Sequence, residues 1–230
     1  MRYLELIENR INQFINEQDK VLQEPIAKAL KGGKRLRPLV MMAWRELEGG
    51  KAEDVLDAAL GIELIHSMSC VHDDIIDKSI SRHGENAIWV DYDINTAICV
   101  GDIMLSQALT LFSGDQRQIV NNALIDLILG QLEPEQPENA ERYYKKTSAL
   151  FAAACKLGAI EHSDEIEQWG LALGISYQAA DDLLDNDGLA CISKYILDTY
   201  LPLCALKLES ETDASKVLNR IVDKIKTIAS

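Results

Sequence analysis

Apolar residues recur at spacings of three and four along almost the whole chain, and no stretch alternates with period two between turn signals. That pattern excludes sandwiches and barrels and leaves helices packed on helices. Leu4, Ile7, Ile11, Phe14 and Ile15 mark an opening amphipathic helix, and Ile26 and Leu30 lie on a second that stops at Gly32-Gly33. Pro38 suits a first helical position, and Leu39–Leu47 follow as a third helix, ended by Gly49-Gly50. Ala52–Lys78 reads as one long helix weakened only at Gly61, and Ser79–Asn86 as a polar break. Ile94–Phe112 and Gln116–Leu132 read as a helical hairpin about Ser113-Gly114-Asp115, and Glu133–Asn139, with two prolines, as a loop. Further helices are expected at about 140–158, 162–187, 193–209 and 213–229. The expectation is a single all-α domain over residues 1–230, its helices bundled around a central hydrophobic cavity.

Composition agrees, with aromatics at only 6% and a hydrophobic share of 47%. Lys and Arg number 23 against 37 Asp and Glu, a net charge of −14 that repels nucleic acid and acidic membrane surfaces at long range. No nucleic-acid partner is expected. The five cysteines (Cys70, Cys99, Cys155, Cys191, Cys204) are odd in number and widely spaced, without CxxC, which fits reduced thiols in a cytoplasmic protein. The first residues, MRYLELIENRINQF, lack the apolar core of a signal peptide, and the longest uncharged run, Gln168–Ala180, has 13 residues, short of a membrane span.

Two segments carry chemistry. His72-Asp73-Asp74-Ile75-Ile76-Asp77 and Asp181-Asp182-Leu183-Leu184-Asp185 both read DDxxD, each near the C-terminal end of a long, otherwise apolar helical stretch. Residues four apart in a helix differ by about 40° and about 6 Å, so Asp73 shares a face with Asp77, and Asp181 with Asp185. Like charges so placed destabilise a bare helix by roughly 0.2–0.5 kcal/mol. One such motif is ordinary at an exposed helix end; two, with aliphatic residues between the acids, ask for a cation. Few hard oxygen ligands suit Mg²⁺, which completes its shell with water and substrate phosphates.

A polyanion also needs cations. Lys31-Gly32-Gly33-Lys34-Arg35-Leu36-Arg37-Pro38 concentrates them before a helix N-terminus, where phosphate is favoured. Of Lys145 and Lys146, the second lies nearer the apolar run Ala149–Ala154 and is the expected inward residue, although a lone lysine there more often snorkels. Arg82 and His83 follow the first acidic motif, and His66 lies two helical turns before Asp73, on its face.

GGKRLRP (32–38), ELIHSMSCVHDDIID (63–77), Gly101-Asp102, KTSALF (146–151) and YQAADDLLD (177–185), in this order, resemble the trans-isoprenyl diphosphate synthases (polyprenyl synthetases) over about residues 30–187. The resemblance implies the all-α isoprenoid-synthase fold, in a homodimer or a heterodimer. The reaction implied joins isopentenyl diphosphate head to tail to an allylic diphosphate. It also implies about three Mg²⁺ per active site, held by Asp73, Asp77 and Asp181, with Asp74, Asp182 and Asp185 as ligands or supports. Arg82 and Lys146 would hold the allylic diphosphate; Lys34, Arg37 and His66 would hold isopentenyl diphosphate; Thr147 and Gln178 would face the allylic cation. Such chemistry needs charge neutralisation at the leaving diphosphate and dipoles, not nucleophiles, around the cation.

Departures from the family pattern bear on activity. His83 stands where the family generally has a second arginine, which is expected to weaken isopentenyl diphosphate binding or make it pH dependent. The family's Gly/Lys-rich loop is shortened after Asp185, leaving Lys194 as the candidate substitute, and the C-terminal helical region is short. In the family, a bulky residue four or five positions before the first acidic motif closes the hydrocarbon pocket; those positions here are Ser69 and Met68, and the small Ser69 leaves room, so a product of C20 or longer is expected. A catalytically weak subunit of a heteromeric synthase is the alternative. A terpene cyclase has no use for GGKRLRP, and a di-iron bundle needs two Glu-x-x-His motifs where only Glu63–His66 occurs. A helical interaction protein is the remaining reading.

Overall fold

The computed structural model describes residues 2–132, 140–185, 190–204 and 212–229; the side chains of 140–143, 185, 190–191 and 229 lie outside that description. Eleven α-helices follow one another among the described residues: α1 (Arg2–Glu17), α2 (Lys20–Leu30), α3 (Leu36–Leu47), α4 (Leu56–Ile76), α5 (Ile88–Asp91), α6 (Ile94–Thr110), α7 (Gln116–Leu132), α8 (Ala140–Gly158), α9 (Ser163–Asp185), α10 (Ala190–Tyr200) and α11 (Asp213–Ala229).

The helical expectation holds, with local corrections. Pro38 is the third residue of α3 rather than its first, still within the turn whose N–H groups have no helical acceptor. Ala52–Lys78 is a 3₁₀ turn (Ala52–Val55) followed by α4. The polar break contains strand: β1 (Ser81–Arg82) pairs antiparallel with β2 (Glu85–Asn86), in the register Ser81 to Asn86. His83 and Gly84 turn between them with φ of 53° and 80°, the left-handed pair that a two-residue hairpin of this hand requires. Two-residue strands are too short to show alternation, which is why the sequence pattern conceals them. α10 begins earlier than expected and passes into a 3₁₀ turn at Leu201–Cys204; the remainder of the 193–209 expectation, and the 133–139 loop, lie outside the described residues.

The chain divides into two compact units, Met1–Pro38 with Leu56–Arg117, and Leu39–Val55 with Gln118–Ser230. In the first, α4 packs on α6 and against α1 and α2, burying Ile7, Ile11, Ile26, Leu60, Leu64 and Met104. Gly61 does not weaken α4: a Cβ there would lie 2.5 Å from the Phe112 ring, so the glycine is the slot that receives it. The Arg10 Nε donates to Asp57 at 2.8 Å and ties α1 to the start of α4.

In the second unit α8 and α9 form the main pair. Gly170 and Gly174 of α9 permit the close approach, since Cβ atoms there would lie 2.7 Å from Cys155 Sγ and 2.5 Å from Ser148 Cα. Trp44 and Trp169 meet edge to face at 5.3 Å, and the turn after α8 is held by Glu48, whose carboxylate accepts from the backbone N–H groups of Ile160, Glu161 and His162.

Candidate active site

The first acidic motif is the C-terminal end of α4. Asp77 N–H donates to the Asp73 carbonyl at 2.8 Å, Lys78 turns left-handed at φ 55°, and Ser79 N–H donates to the Asp74 carbonyl at 2.9 Å, closing the helix. A helix C-terminus carries partial negative charge, and the last turn of α4 holds no basic residue. Three carboxylates there are electrostatically unfavourable unless a cation joins them. Asp73 is half-buried and Asp77 exposed. Asp74 instead turns inward, 3% exposed, and takes the Arg82 guanidinium through both oxygens at 2.7–2.9 Å.

That pair places the β1–β2 hairpin against the basic loop after α2. His83 packs on Gly32, where a Cβ would lie 3.1 Å from the His83 Cβ and the φ of +81° already excludes most side chains. Lys31 pairs with Glu85 and Lys28 with Asp91. The two turns enclose a pocket of about 100 Å³ lined by Lys28, Lys31, Cys70, Asp74, Arg82 and His83, among others. His66 lies under this cationic ground; burial, and then the charges of Arg37, Arg82 and Arg35, push its imidazole well below the usual range, so it is neutral at pH 7. Desolvation raises the Cys70 thiol as well, and its sulfur lies 3.8 Å from His66 Nδ1.

Lys34 is exposed and Arg37 buried in the first turn of α3. Arg35, one cation of the basic run by sequence, is set apart from the others by being the most deeply buried. Its guanidinium is buried, donating to Glu63 and Glu8 at 2.8 Å each and also to the Leu30 carbonyl. Glu63, a lone acid inside the most apolar part of α4, was the available signal, because a carboxylate in such a run requires a buried cation. Met68 and Ser69 are both buried on α4, the Ser69 hydroxyl donating to the His66 carbonyl at 2.8 Å.

The remaining residues singled out by sequence lie in the second unit. Thr147 Oγ1 donates to Gln178 Oε1 at 2.7 Å, and Gln178 Nε2 donates to Asp182 Oδ1 at 2.7 Å. The buried Asp182 carboxylate fixes the amide orientation, since the opposite one would set carbonyl against carboxylate. The Thr147 hydroxyl proton is therefore directed to Gln178, and the amide oxygen expected to face a cation is engaged by Thr147. Lys146 is half-buried beside Gly130, where a Cβ would lie 2.6 Å from the Lys146 Cβ, whereas Lys145 is exposed. Asp181 is half-buried in the last turn of α9, which also lacks a basic residue. The Asp185 side chain and residues 186–189 lie outside the described residues, and Lys194 is exposed on α10.

Among the described residues no three carboxylate, imidazole or thiol groups gather into a metal cage. Two carboxylates on a helix end whose dipole also favours a cation fit Mg²⁺, which takes one or two protein carboxylates and completes its shell from water and phosphate. No described helix is long and apolar enough to cross a membrane.

The chain is similar in sequence and fold to known proteins. The short chain isoprenyl diphosphate synthase of Methanothermobacter thermautotrophicus is 32% identical over 212 residues, covering 80% of this chain and 64% of that protein. The geranylgeranyl diphosphate synthase of Methanosarcina mazei is 32% identical over 178 residues, covering 67% and 55%. The chain thus spans between 55% and 64% of the length of these curated relatives. A crystal structure of a geranyltranstransferase from Thermotoga maritima matches with a TM-score of 0.83 at 25% identity, covering 99% of this chain and 97% of that one. The model of the polyprenyl synthetase family matches residues 19–191. With three quarters of its length under that match, and with the all-α isoprenoid-synthase fold, the chain belongs to the polyprenyl synthetase family.

Proposed function

We propose that this chain is a Mg²⁺-dependent prenyltransferase that condenses isopentenyl diphosphate with an allylic diphosphate head to tail, releasing diphosphate. The observation that carries the reading is the pocket of the first unit, where two cationic turns and a neutral histidine adjoin the acidic end of α4. Such a pocket takes a diphosphate by forked and backbone contacts.

Asp73, Asp77 and Asp181 are assigned as Mg²⁺ ligands, with Asp185 as a further one and Asp182 as the support that orients Gln178. Bound there, the metal supplies positive charge against the diphosphate oxygens as the allylic carbon–oxygen bond breaks. Asp74 serves by aiming Arg82 at the allylic diphosphate, together with Lys146. Lys34, Arg37, His66 and His83 take isopentenyl diphosphate; His66, being neutral, donates or accepts one hydrogen bond without adding charge. As the bond breaks its electron pair leaves with diphosphate, and the Thr147 oxygen presents its lone pairs to the allylic carbon. The alkene of isopentenyl diphosphate then attacks that carbon, and a proton is lost from its C2 to the released diphosphate. Lys194, the candidate substitute for the family's loop lysine, is assigned to substrate binding.

The small Ser69, one turn before Asp73, supports a product of C20 or longer. The protein is read as working as a homodimer in a reducing cytoplasm, which accords with the four free thiols among the described residues. The test is direct. The purified chain is incubated with Mg²⁺, isopentenyl diphosphate and allylic diphosphates of several lengths, and the products are weighed. Elongated products, abolished by EDTA and restored by Mg²⁺, are expected. No elongation from any starter overturns the reading.

A further inference from the structure

The basic loop Lys31–Pro38 carries cations in two opposite directions. Lys34 stands exposed, while the next residue sends its side chain inward: Arg35 is 5% exposed and Glu63, its partner at 2.8 Å, is 2% exposed. Three elements meet on this guanidinium, α1 through Glu8, α2 through the Leu30 carbonyl, and α4 through Glu63. Arg35 itself sits in the left-handed region at φ 53°, uncommon for a residue with a side chain, between the loop and the first residue of α3. The backbone torsion at Arg35 therefore sets where Lys34 points on one side and where the first turn of α3, bearing Arg37, points on the other.

Gly33 belongs to the same device. A Cβ there would lie 2.4 Å from Arg35 Nη1 and 3.2 Å from Glu63 Oε1, so the backbone runs directly over the ion pair. At the preceding residue His83 packs on Gly32. The loop is thus held at Gly33 by a buried salt bridge and at Gly32 by the hairpin tip, and Lys34 and Arg37 flank Arg35. A loop that is glycine-rich and exposed would otherwise lose much of its order, and a diphosphate would have to restore that order on binding.

We propose that Arg35, locked by Glu63 and Glu8, is a positioning residue that holds Lys34 and Arg37 in the geometry that binds the diphosphate of the non-allylic substrate. The inference rests on the proposed prenyltransferase reading and adds to it a residue that touches no substrate. Because a guanidinium spans three acceptors at fixed angles, the lock is specific to arginine; a lysine ammonium keeps the charge beside Glu63 but cannot reach all three.

The experiment compares the wild-type protein, Arg35→Lys and the double variant Arg35→Met/Glu63→Leu. Isopentenyl diphosphate binding is measured by calorimetry, KM for each substrate and kcat by kinetics, and folding by thermal melts. Exchanging a buried ion pair for apolar residues of similar volume commonly preserves stability, and Glu8, the carboxylate left behind, is 40% exposed, so the double variant tests the lock without an orphaned buried charge. About tenfold weaker isopentenyl diphosphate binding is expected in both variants, with the allylic KM within about twofold of wild type. Should the double variant fail to fold, Arg35→Lys carries the test alone. Unchanged isopentenyl diphosphate affinity in folded variants overturns the proposal, as does an equal loss for both substrates that follows the drop in melting temperature. A wild-type protein that binds no isopentenyl diphosphate overturns the functional reading instead, and the two failures are told apart by that control.

Discussion

Asp74 and Arg82 hold each other through three hydrogen bonds of 2.7–2.9 Å, an arrangement that fits the supporting one of the two roles, ligand or support, expected of Asp74. The helix end separates the three acids by direction. Asp74 faces the interior and reaches a cation of the chain itself, while Asp73 and Asp77 lie on the more open face.

That separation makes Asp74 and Asp77 differ under the same substitution. Asp74→Asn is expected to lower stability by about 1–3 kcal/mol, discounted for the partial exposure of Arg82, and to raise the allylic KM. Asp77→Asn is expected to leave stability within about 0.5 kcal/mol while lowering kcat by about a hundredfold or more. Urea melts beside steady-state kinetics check both; equal melts for the two variants count against the division.

Glu48 gives a pH-dependent contribution in the second unit. Burial pushes its carboxyl up, but the N–H groups of Ile160, Glu161 and His162 together with the His162 ring outweigh this and hold it at about 2, against an ordinary 4.5. Its contribution is complete above about pH 4.5 and lost as pH falls toward 2. The His162 pKa is raised above its ordinary 6.5, first by the hydrogen bond to Glu48, so that part is complete below pH 6.5 and lost as pH rises through the raised value. Glu48→Gln is expected to cost about 1–3 kcal/mol at neutral pH. The difference from wild type in urea midpoint is greatest between about pH 4.5 and 6.5 and closes near pH 2.

Thr147→Val keeps shape and removes the oxygen presented beside Gln178. A kcat lowered about tenfold with both KM values nearly unchanged is expected, since the lost dipole matters only as positive charge develops. A change confined to KM assigns Thr147 to ground-state binding.

Ser69→Phe inserts a large side chain at a buried position one turn before Asp73. Products shortened to C15 or less are expected by mass spectrometry, with about 1–3 kcal/mol of destabilisation from overpacking. Unshortened products remove Ser69 from the hydrocarbon path.

His83 sits on the hairpin turn, exposed, with its backbone already left-handed. His83→Arg is expected to lower the KM for isopentenyl diphosphate about fivefold without affecting the melt, because a forked permanent cation binds phosphate more strongly than imidazole. An unchanged KM places His83 outside the diphosphate site.

The helical class, the place of both acidic motifs at helix ends and the grouping of cations before α3 are properties of sequence spacing, because a helix fixes which residues share a face without reference to the rest of the chain. What spacing could not show is where a side chain finds its partner. Arg35 and Arg37 look alike in the basic run, yet one is tied beneath the loop by Glu63, 28 residues away, and the other opens α3. Asp73 and Asp74 are neighbours with identical chemistry, and only the hairpin that brings Arg82 back to α4 distinguishes them. Gly61 reads as a weak point of its helix, and only the fold shows that Phe112 fills the space beside it. Each of these is a contact that helical spacing alone does not make, formed by packing and desolvation once the chain has folded.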